Sequence, residues 1–317
     1  MLGTDNSTPY FLNLHNGEVA HTLILGMTGS GKSYLCNFLL QNAQKYAPLT
    51  FIFDIGGSFQ SLTTIFGGSY LNVGQDTRDF TINPFSIAPN NENVQFLFSF
   101  FRVLIEGNEQ RYRLDFKEER RLWDAIKRMY VLEPLLFYVL HRASNEIGDA
   151  MKLATFKIFL LDEAWLFIRN ETIRTYIVQA QKTWRKHNAA MVLATQSIKE
   201  LEASGMLQIV SESCPTKIFL ANPEMDHDLY RHAFNLNDTE LELIAGLVPP
   251  GQMLIRKAQS SKKVQLNVDS VSHWMATNNA RDNLTKRDYF NRFGVAEGLR
   301  RLAEDHPFRP HPLAVHH

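Results

Sequence analysis

The chain has 317 residues, 44% of them hydrophobic, enough for one large domain or a domain with a satellite around a substantial core. Lys plus Arg and Asp plus Glu number 33 each, so the formal net charge is zero; the balance carries no nucleic-acid footprint, and any DNA contact has to be a local patch. Cys36 and Cys214 form no CxxC spacing, no apolar run reaches eighteen residues, and Met1 to Asp5 lacks a charged leader; these exclude a disulfide framework, a self-anchoring helix and a signal peptide.

Residues 1–20 are polar, punctuated by Pro9 and Gly17, and read as a lead-in or an edge strand. The apolar run His21 to Leu25 then meets Gly26-Met27-Thr28-Gly29-Ser30-Gly31-Lys32-Ser33, and Tyr34 to Tyr46 is helix-like. Strand, glycine loop and helix in that order are what a phosphate-binding loop needs. Gly26, Gly29 and Gly31 let the backbone wrap an anion, while Thr28, Ser30 and Tyr34 lie within the same cradle and helix start. Lys32 can reach the β- and γ-phosphates, and the Ser33 hydroxyl can take one Mg²⁺ position. ATP and Mg²⁺ are therefore the expected ligands.

Leu49 to Phe53 is a second strand, and the crossover from the first implies parallel neighbours in an α/β sheet. Asp54 at its carboxyl end could orient a metal-bound water or cap the next helix near Ser58. Gly67-Gly68 precedes a possible strand, Ser69 to Val73. Three helices are expected over Asn93 to Glu106, Asp115 to Tyr130 and Pro134 to Ile147, the middle one charge-laced; the block reads as an all-helical insertion or lid.

Phe156 to Leu161 is a further strand, closed by Asp162-Glu163. About 130 residues after a phosphate loop, this pair reads as the second half of a hydrolytic site: Asp162 organising Mg²⁺ and Glu163 polarising water. Glu171 to His187 is helical by period and ends in Arg185-Lys186-His187. Ala189 to Ala194 is a buried strand ending at Thr195-Gln196-Ser197, where the Gln196 amide could sense the nucleotide or simply close a turn.

Thr216 to Leu220 is the next strand, Asp226 to Phe234 and Asp238 to Ala245 two short helices, and Pro249-Pro250-Gly251 a turn. Gln252 to Arg256 and Lys263 to Val268 read as antiparallel edge strands joined through Ala258 to Ser261. Arg256, Lys257, Lys262 and Lys263 cluster there, either as solvated edge residues or as a DNA or partner patch. Asn283 to Glu304 is helical, and the Pro/His tail from His306 reads as disordered. The expected organisation is a lead-in (1–20), a core over 21–90 and 156–270, a helical insertion over 91–155, a C-terminal helical segment over 271–305, and a tail over 306–317.

The stretches GMTGSGKSYLCNFLLQNAQKY, FIFDIGGSFQSLT, INPF, LLFYVLHRA, KIFLLDEAW, KTWRKHNAAMVLATQS, ESCPTKIFLANPEMD and LNVD resemble the ATPases of type IV secretion and conjugative transfer, the VirB/TrbE/CagE class, its TrbE-like branch above all. The resemblance covers most of residues 18–304 and implies a RecA-like P-loop motor hydrolysing ATP with Mg²⁺. It assigns Lys32 and Ser33 to phosphates and metal, Asp162 to the metal, Glu163 to catalysis and Gln196 to the sensor. Arg185, eleven residues before Gln196, matches the position of an arginine finger acting in trans. It further implies a homo-oligomer, a hexamer in its simplest form, working with other secretion subunits on the cytoplasmic face of a bacterial inner membrane. Against the family pattern, the chain begins almost at the motor, and a helical segment usual before Pro134 is short. A DNA translocase or coupling ATPase of the same fold and a nucleotide-binding scaffold are the alternatives.

Overall fold

The computed structural model describes residues 2–4, 8–15, 19–71, 91–106, 114–115, 117–119, 135–164, 171–196, 198–257 and 260–308. The lead-in forms β1 (Leu2–Thr4) and β2 (Pro9–Tyr10), followed by β3 (Thr22–Leu25), α1 (Lys32–Ala43), β4 (Leu49–Phe53) and α2 (Gln60–Ile65). Helices α3 (Asn91–Glu106) and α4 (Leu135–Gly148) precede β5 (Lys157–Leu161), α5 (Glu171–Thr183) and β6 (Ala189–Thr195). Then come α6 (Ile198–Ala203), α7 (Leu207–Ser213), β7 (Thr216–Leu220), α8 (His227–Phe234) and α9 (Asp238–Ala245). The chain closes with β8 (Gln252–Lys257), β9 (Ser260–Leu266), α10 (Ser270–Ala276), α11 (Ala280–Phe293) and α12 (Val295–Asp305).

The described strands form one sheet in the order β2-β1-β9-β8-β7-β3-β6-β5-β4. Strands β4, β5, β6, β3 and β7 run parallel, and β8, β9, β1 and β2 extend one side in antiparallel pairs. Strands β3, β5 and β6 of the parallel half are buried on both faces, as helical crossovers require, and the edge strand β4 is half-buried. On one face Ile24, Ile158, Leu160, Val192, Ala194, Ile218 and Leu220 join Leu35, Cys36, Phe38 and Leu40 of α1 in a continuous core. The period of two sends Leu23, Phe159, Leu161, Leu193 and Phe219 to the other face, where Phe219 meets Phe234 of α8 edge-on at 5.3 Å. Both cysteines are buried as thiols, and burial pushes Cys214 up to about 12.

The chain divides into two compact units. Met1–Tyr70, Thr155–Trp165 and Asn188–His317 make the sheet unit; Leu71–Ala154 and Leu166–His187 make a helical one. Helix α5, placed with the core by sequence, thus belongs to the helical unit. There Phe96 stacks on His141 at 4.1 Å, Tyr176 donates to the Leu140 carbonyl at 3.1 Å, and Trp184 Nε1 donates to Ser144 Oγ at 3.1 Å. Those contacts join α3, α4, α5 and the 3-10 turn Trp184–His187, which replaces the end of the expected single helix.

Other expectations change. Ser69 to Leu71 form no strand; the chain leaves Gly67 in a left-handed turn (φ +67°), and Tyr70 turns its hydroxyl to Asp54. Residues 72–73 and most of the expected helix Asp115 to Tyr130 lie outside the described residues. The expected edge strand β9 is interior, paired to β8 on one side and β1 on the other. The long C-terminal helix breaks at Gly294 (φ +77°), and α12 packs back on α11 so closely that a Cβ on Gly298 would lie 3.0 Å from the Tyr289 carbonyl. The tail is held for its first three residues: Trp274 Nε1 donates to the His306 carbonyl at 3.0 Å, and Phe308 stacks on His273 at 3.9 Å. Residues 309–317 lie outside the described residues.

Candidate functional site

The loop between β3 and α1 emerges at the carboxyl edge of the sheet, where ligands of α/β folds sit. Leu25 pairs with Thr195 of β6 and Phe219 of β7, so the chain ends beyond these three strands are level. The loop is pinned from β7 by Met27 N–H donating to the Ala221 carbonyl at 3.2 Å. A tight turn follows, closed by Ser30 N–H on the Met27 carbonyl at 3.2 Å, with Gly29 at φ +78°. Gly31 takes φ +96° and starts α1 without a side-chain cap, leaving the first-turn N–H groups for an external anion. Gly26 has no room for a side chain, since a Cβ would lie 2.5 Å from Ser30 Oγ and 2.7 Å from Leu220 Cβ.

Two features fit the loop to a phosphate group. The buried Ser30 hydroxyl has no hydrogen-bond partner, an uncompensated polar group inside the cradle. Lys32, 7% exposed, turns its ammonium onto the loop's own carbonyls, at 3.0 Å from Gly26 O and 3.2 Å from Met27 O. Burial lowers the Lys32 pKa, and the charges of Glu163 and Asp162 oppose that shift. Ser33 follows in the first turn, half-buried.

The acids come from β5, one strand beyond β6. Leu161 pairs with Leu193, and Asp162 N–H donates to the Phe53 carbonyl at 3.1 Å, continuing the ladder one residue past the strand. Asp162 is 4% exposed, and its pKa is pushed up to about 6 by burial, then by Glu163 and Asp54, with Lys32 opposing. A cation bound beside such a carboxyl group would bring its pKa back down. Glu163 adopts a left-handed backbone (φ +53°), unusual for a non-glycine residue and concentrated at functional sites. Asp54 is a cap: its carboxylate accepts Gly56 N–H at 3.2 Å, Ser58 N–H at 3.0 Å and Phe59 N–H at 2.9 Å.

Gln196 stands one residue beyond β6 and accepts a hydrogen bond on Oε1 from the Thr28 hydroxyl, joining the loop tip to the strand beside it. Tyr34 sends its side chain away from the loop to His273 Nδ1 at 3.1 Å, so only its backbone serves an anion. Arg185 lies exposed in the 3-10 turn Trp184–His187 of the helical unit. Sequence reading missed Ala221, which holds Met27, and the role of Pro250, which lies 3.9 Å from a Cβ built on Gly31. The Pro249-Pro250-Gly251 turn was a visible signal; its place beside the loop follows from β8 running antiparallel to β7.

The basic cluster of the β8–β9 hairpin is tied inward. Arg256 pairs with the largely buried Glu240 and donates to the Asn235 carbonyl at 3.0 Å, while Lys257 caps the carbonyls of Asn13 and His15, the latter at 3.0 Å. These two residues are therefore bonded within the chain and not simply solvated edge residues. Among the described residues, no helix is long and apolar enough to cross a membrane.

The sequence model of the TraG P-loop domain matches residues 13–96 and 111–252, more than half of the chain. The conjugal transfer protein TrbE of Rhizobium radiobacter is 27% identical over 313 residues, covering 77% of this chain and 38% of that protein. The type IV secretion system protein VirB4 of Bartonella quintana is 24% identical over 343 residues, covering 87% and 43%. The chain thus spans less than half the length of these curated relatives. Among solved structures, VirB4 of Thermoanaerobacter pseudethanolicus superposes with a TM-score of 0.64 at 15% identity, over 84% of this chain and 95% of that one. The plasmid coupling protein TrwB, solved with ADP and Mg²⁺, gives 0.55 at 15% identity over 78% and 85%. With its glycine loop at the head of α1 and its acidic pair two strands away, the chain belongs to the TraG P-loop domain family, on a RecA-like fold and with TrbE and VirB4 proteins among its relatives.

Proposed function

We propose that the chain is the ATP-hydrolysing motor domain of a type IV secretion or conjugation system, energising channel assembly or transfer of protein or DNA. The observation that carries this is the acidic pair at the end of β5 within electrostatic reach of the loop lysine: Asp162 and Glu163 both act on Lys32, and burial, then the neighbouring like charges, push Asp162 up to about 6. A structural loop has no use for two like-charged carboxylates, one buried and one half-buried, beside an uncapped helix.

In this reading the loop and first helical turn from Gly26 to Tyr34 bind the phosphates of ATP through the N–H groups that are not committed within the chain as those of Met27 and Ser30 are, with Thr28, Gly29, Ser30 and Gly31 shaping the cradle. Lys32 exchanges its carbonyl partners for phosphate oxygens. Ser33 and Asp162 would hold Mg²⁺, which when bound draws charge from the phosphate oxygens. Glu163 accepts a proton from the attacking water, and Gln196 reads the terminal phosphate. Arg185 serves the site of a neighbouring copy, so the working form is a homo-oligomer, a hexamer in its simplest form. Its other partners are secretion subunits at the cytoplasmic face of the inner membrane.

The test is steady-state ATP turnover against protein concentration. Glu163→Gln is expected to keep nucleotide binding and lose turnover by about 100-fold or more. An equal mixture of Lys32→Ala and Arg185→Ala should regain part of the wild-type rate, because mixed interfaces contain one intact site. Unchanged turnover in Glu163→Gln removes Glu163 as the catalytic base, and nucleotide binding with no turnover in the wild type sinks the motor reading and leaves a nucleotide-binding scaffold. No recovery in the mixture removes Arg185 as a finger in trans.

A further inference from the structure

Gln196 can read a phosphate only if its amide faces the right way. An amide has a donor end and an acceptor end, and phosphate oxygens offer acceptors alone. Presented the wrong way round, the carbonyl oxygen of Gln196 would repel the nucleotide it is meant to detect. The structure presents Oε1 of Gln196, not Nε2, to the loop. Thr28 is the second residue of the turn that Ser30 N–H closes on the Met27 carbonyl, and the left-handed Gly29 lets that turn lift Thr28 to the loop tip. There the Thr28 hydroxyl donates to Gln196 Oε1. With Oε1 committed to Thr28, Nε2 and its two hydrogens point away from that contact. Thr28 is suited to the task because its β-branched side chain is stiff at χ1, and the turn beneath it is anchored to β7 through Met27 and Ala221.

We propose that Thr28 is a positioning residue that fixes the Gln196 amide with its donor end towards the terminal phosphate, and so sets the preference for ATP over ADP. The inference rests on the reading of Gln196 as the γ-phosphate sensor. A purely structural Thr28 would shape the loop and affect ATP and ADP alike, since both carry the phosphates that the loop wraps.

The experiment uses the full chain with fluorescent ADP and a fluorescent non-hydrolysable ATP analogue, alongside kcat and KM for ATP. The variants are Thr28→Val, which keeps the shape and removes the hydroxyl, Thr28→Ser, Gln196→Ala, and Thr28→Val with Gln196→Ala. Thr28→Val is expected to lower the ratio of ATP-analogue to ADP affinity by about three- to tenfold, the worth of one neutral hydrogen bond. The loss of affinity should appear as a rise in KM for ATP, Thr28→Ser should recover it, and Thr28→Val should add nothing once Gln196 is alanine. Equal weakening of ADP and the ATP analogue overturns the proposal, as does a full effect of Thr28→Val in the Gln196→Ala background. A wild-type chain that binds both nucleotides but turns over no ATP defeats the hydrolytic reading alone, and the affinity ratio then decides the role of Thr28.

Discussion

Two charged clusters of the sheet unit behave in opposite ways. At the carboxyl edge of the parallel strands, Asp162 faces Glu163 and Asp54, and burial followed by those like charges pushes it up to about 6. At the β8–β9 hairpin, burial also raises Glu240, yet the Ser261 hydroxyl, Asn237 N–H at 2.9 Å and Arg256 together outweigh it and hold that carboxylate below the usual range. The hairpin is complete within the chain; the loop end is not. Around the loop, Ser30 Oγ lacks a partner, Lys32 falls back on backbone carbonyls and Glu163 holds a left-handed backbone. An orphaned hydroxyl, a lysine on backbone carbonyls and a raised carboxyl gathered at one loop mark where a ligand supplies the missing terms.

The comparison breaks most visibly on the satisfied side. Arg256→Ala leaves Glu240 nearly buried without its cation and is expected to cost about 2–3 kcal/mol in urea unfolding. A loss under about 0.5 kcal/mol would show Glu240 to be as solvated as a surface residue.

The incomplete side should respond with the opposite sign. Because Asp162 has a folded pKa near 6, above the unfolded value of about 4, the native state holds its proton longer and stability falls as pH rises through that window. Asp162→Asn removes this cost, so the nucleotide-free variant should be more stable than wild type by on the order of 1–2 kcal/mol at pH 8, partly offset by a lost partner charge for Lys32. The gain should vanish by about pH 4. Thermal melts at the two pH values check it, and a variant less stable at pH 8 would contradict the electrostatic account of the loop end.

The smallest effect belongs to the start of α9. Asn237 accepts Glu240 N–H at 2.9 Å while Glu240 accepts Asn237 N–H, a reciprocal cap that also orients the carboxylate for Arg256. Asn237→Ala should cost about 1 kcal/mol. Combined with Arg256→Ala it should cost less than the two single losses together, because both act on Glu240. Strict additivity, measured by a double-mutant cycle in urea, would separate the cap from the ion pair.

Much of this was legible because the site is built from short-range pattern. The strand before the loop, the strand before Asp162 and the strand before Gln196 are buried on both faces, so each reads as an unbroken apolar run ending in the residue that matters. Helices α6 and α7 escaped notice, since six or seven residues carry too little periodicity and draw their stability from packing.

What the sequence determined by itself is therefore local: the glycine spacing from Gly26 to Gly31, the helix that follows, and acids or amides at strand ends. Tertiary structure decided everything that depends on which distant segments share an edge. It paired Leu2 with Leu266 and made β9 interior, turned Arg256 and Lys257 inward, stacked Phe308 on His273 beside Tyr34, and set Thr28 against Gln196. The physical reason is that backbone conformation and hydrophobic period act over a few residues, whereas strand order, burial of charge and the partner of a side chain are set by packing between segments up to 264 residues apart.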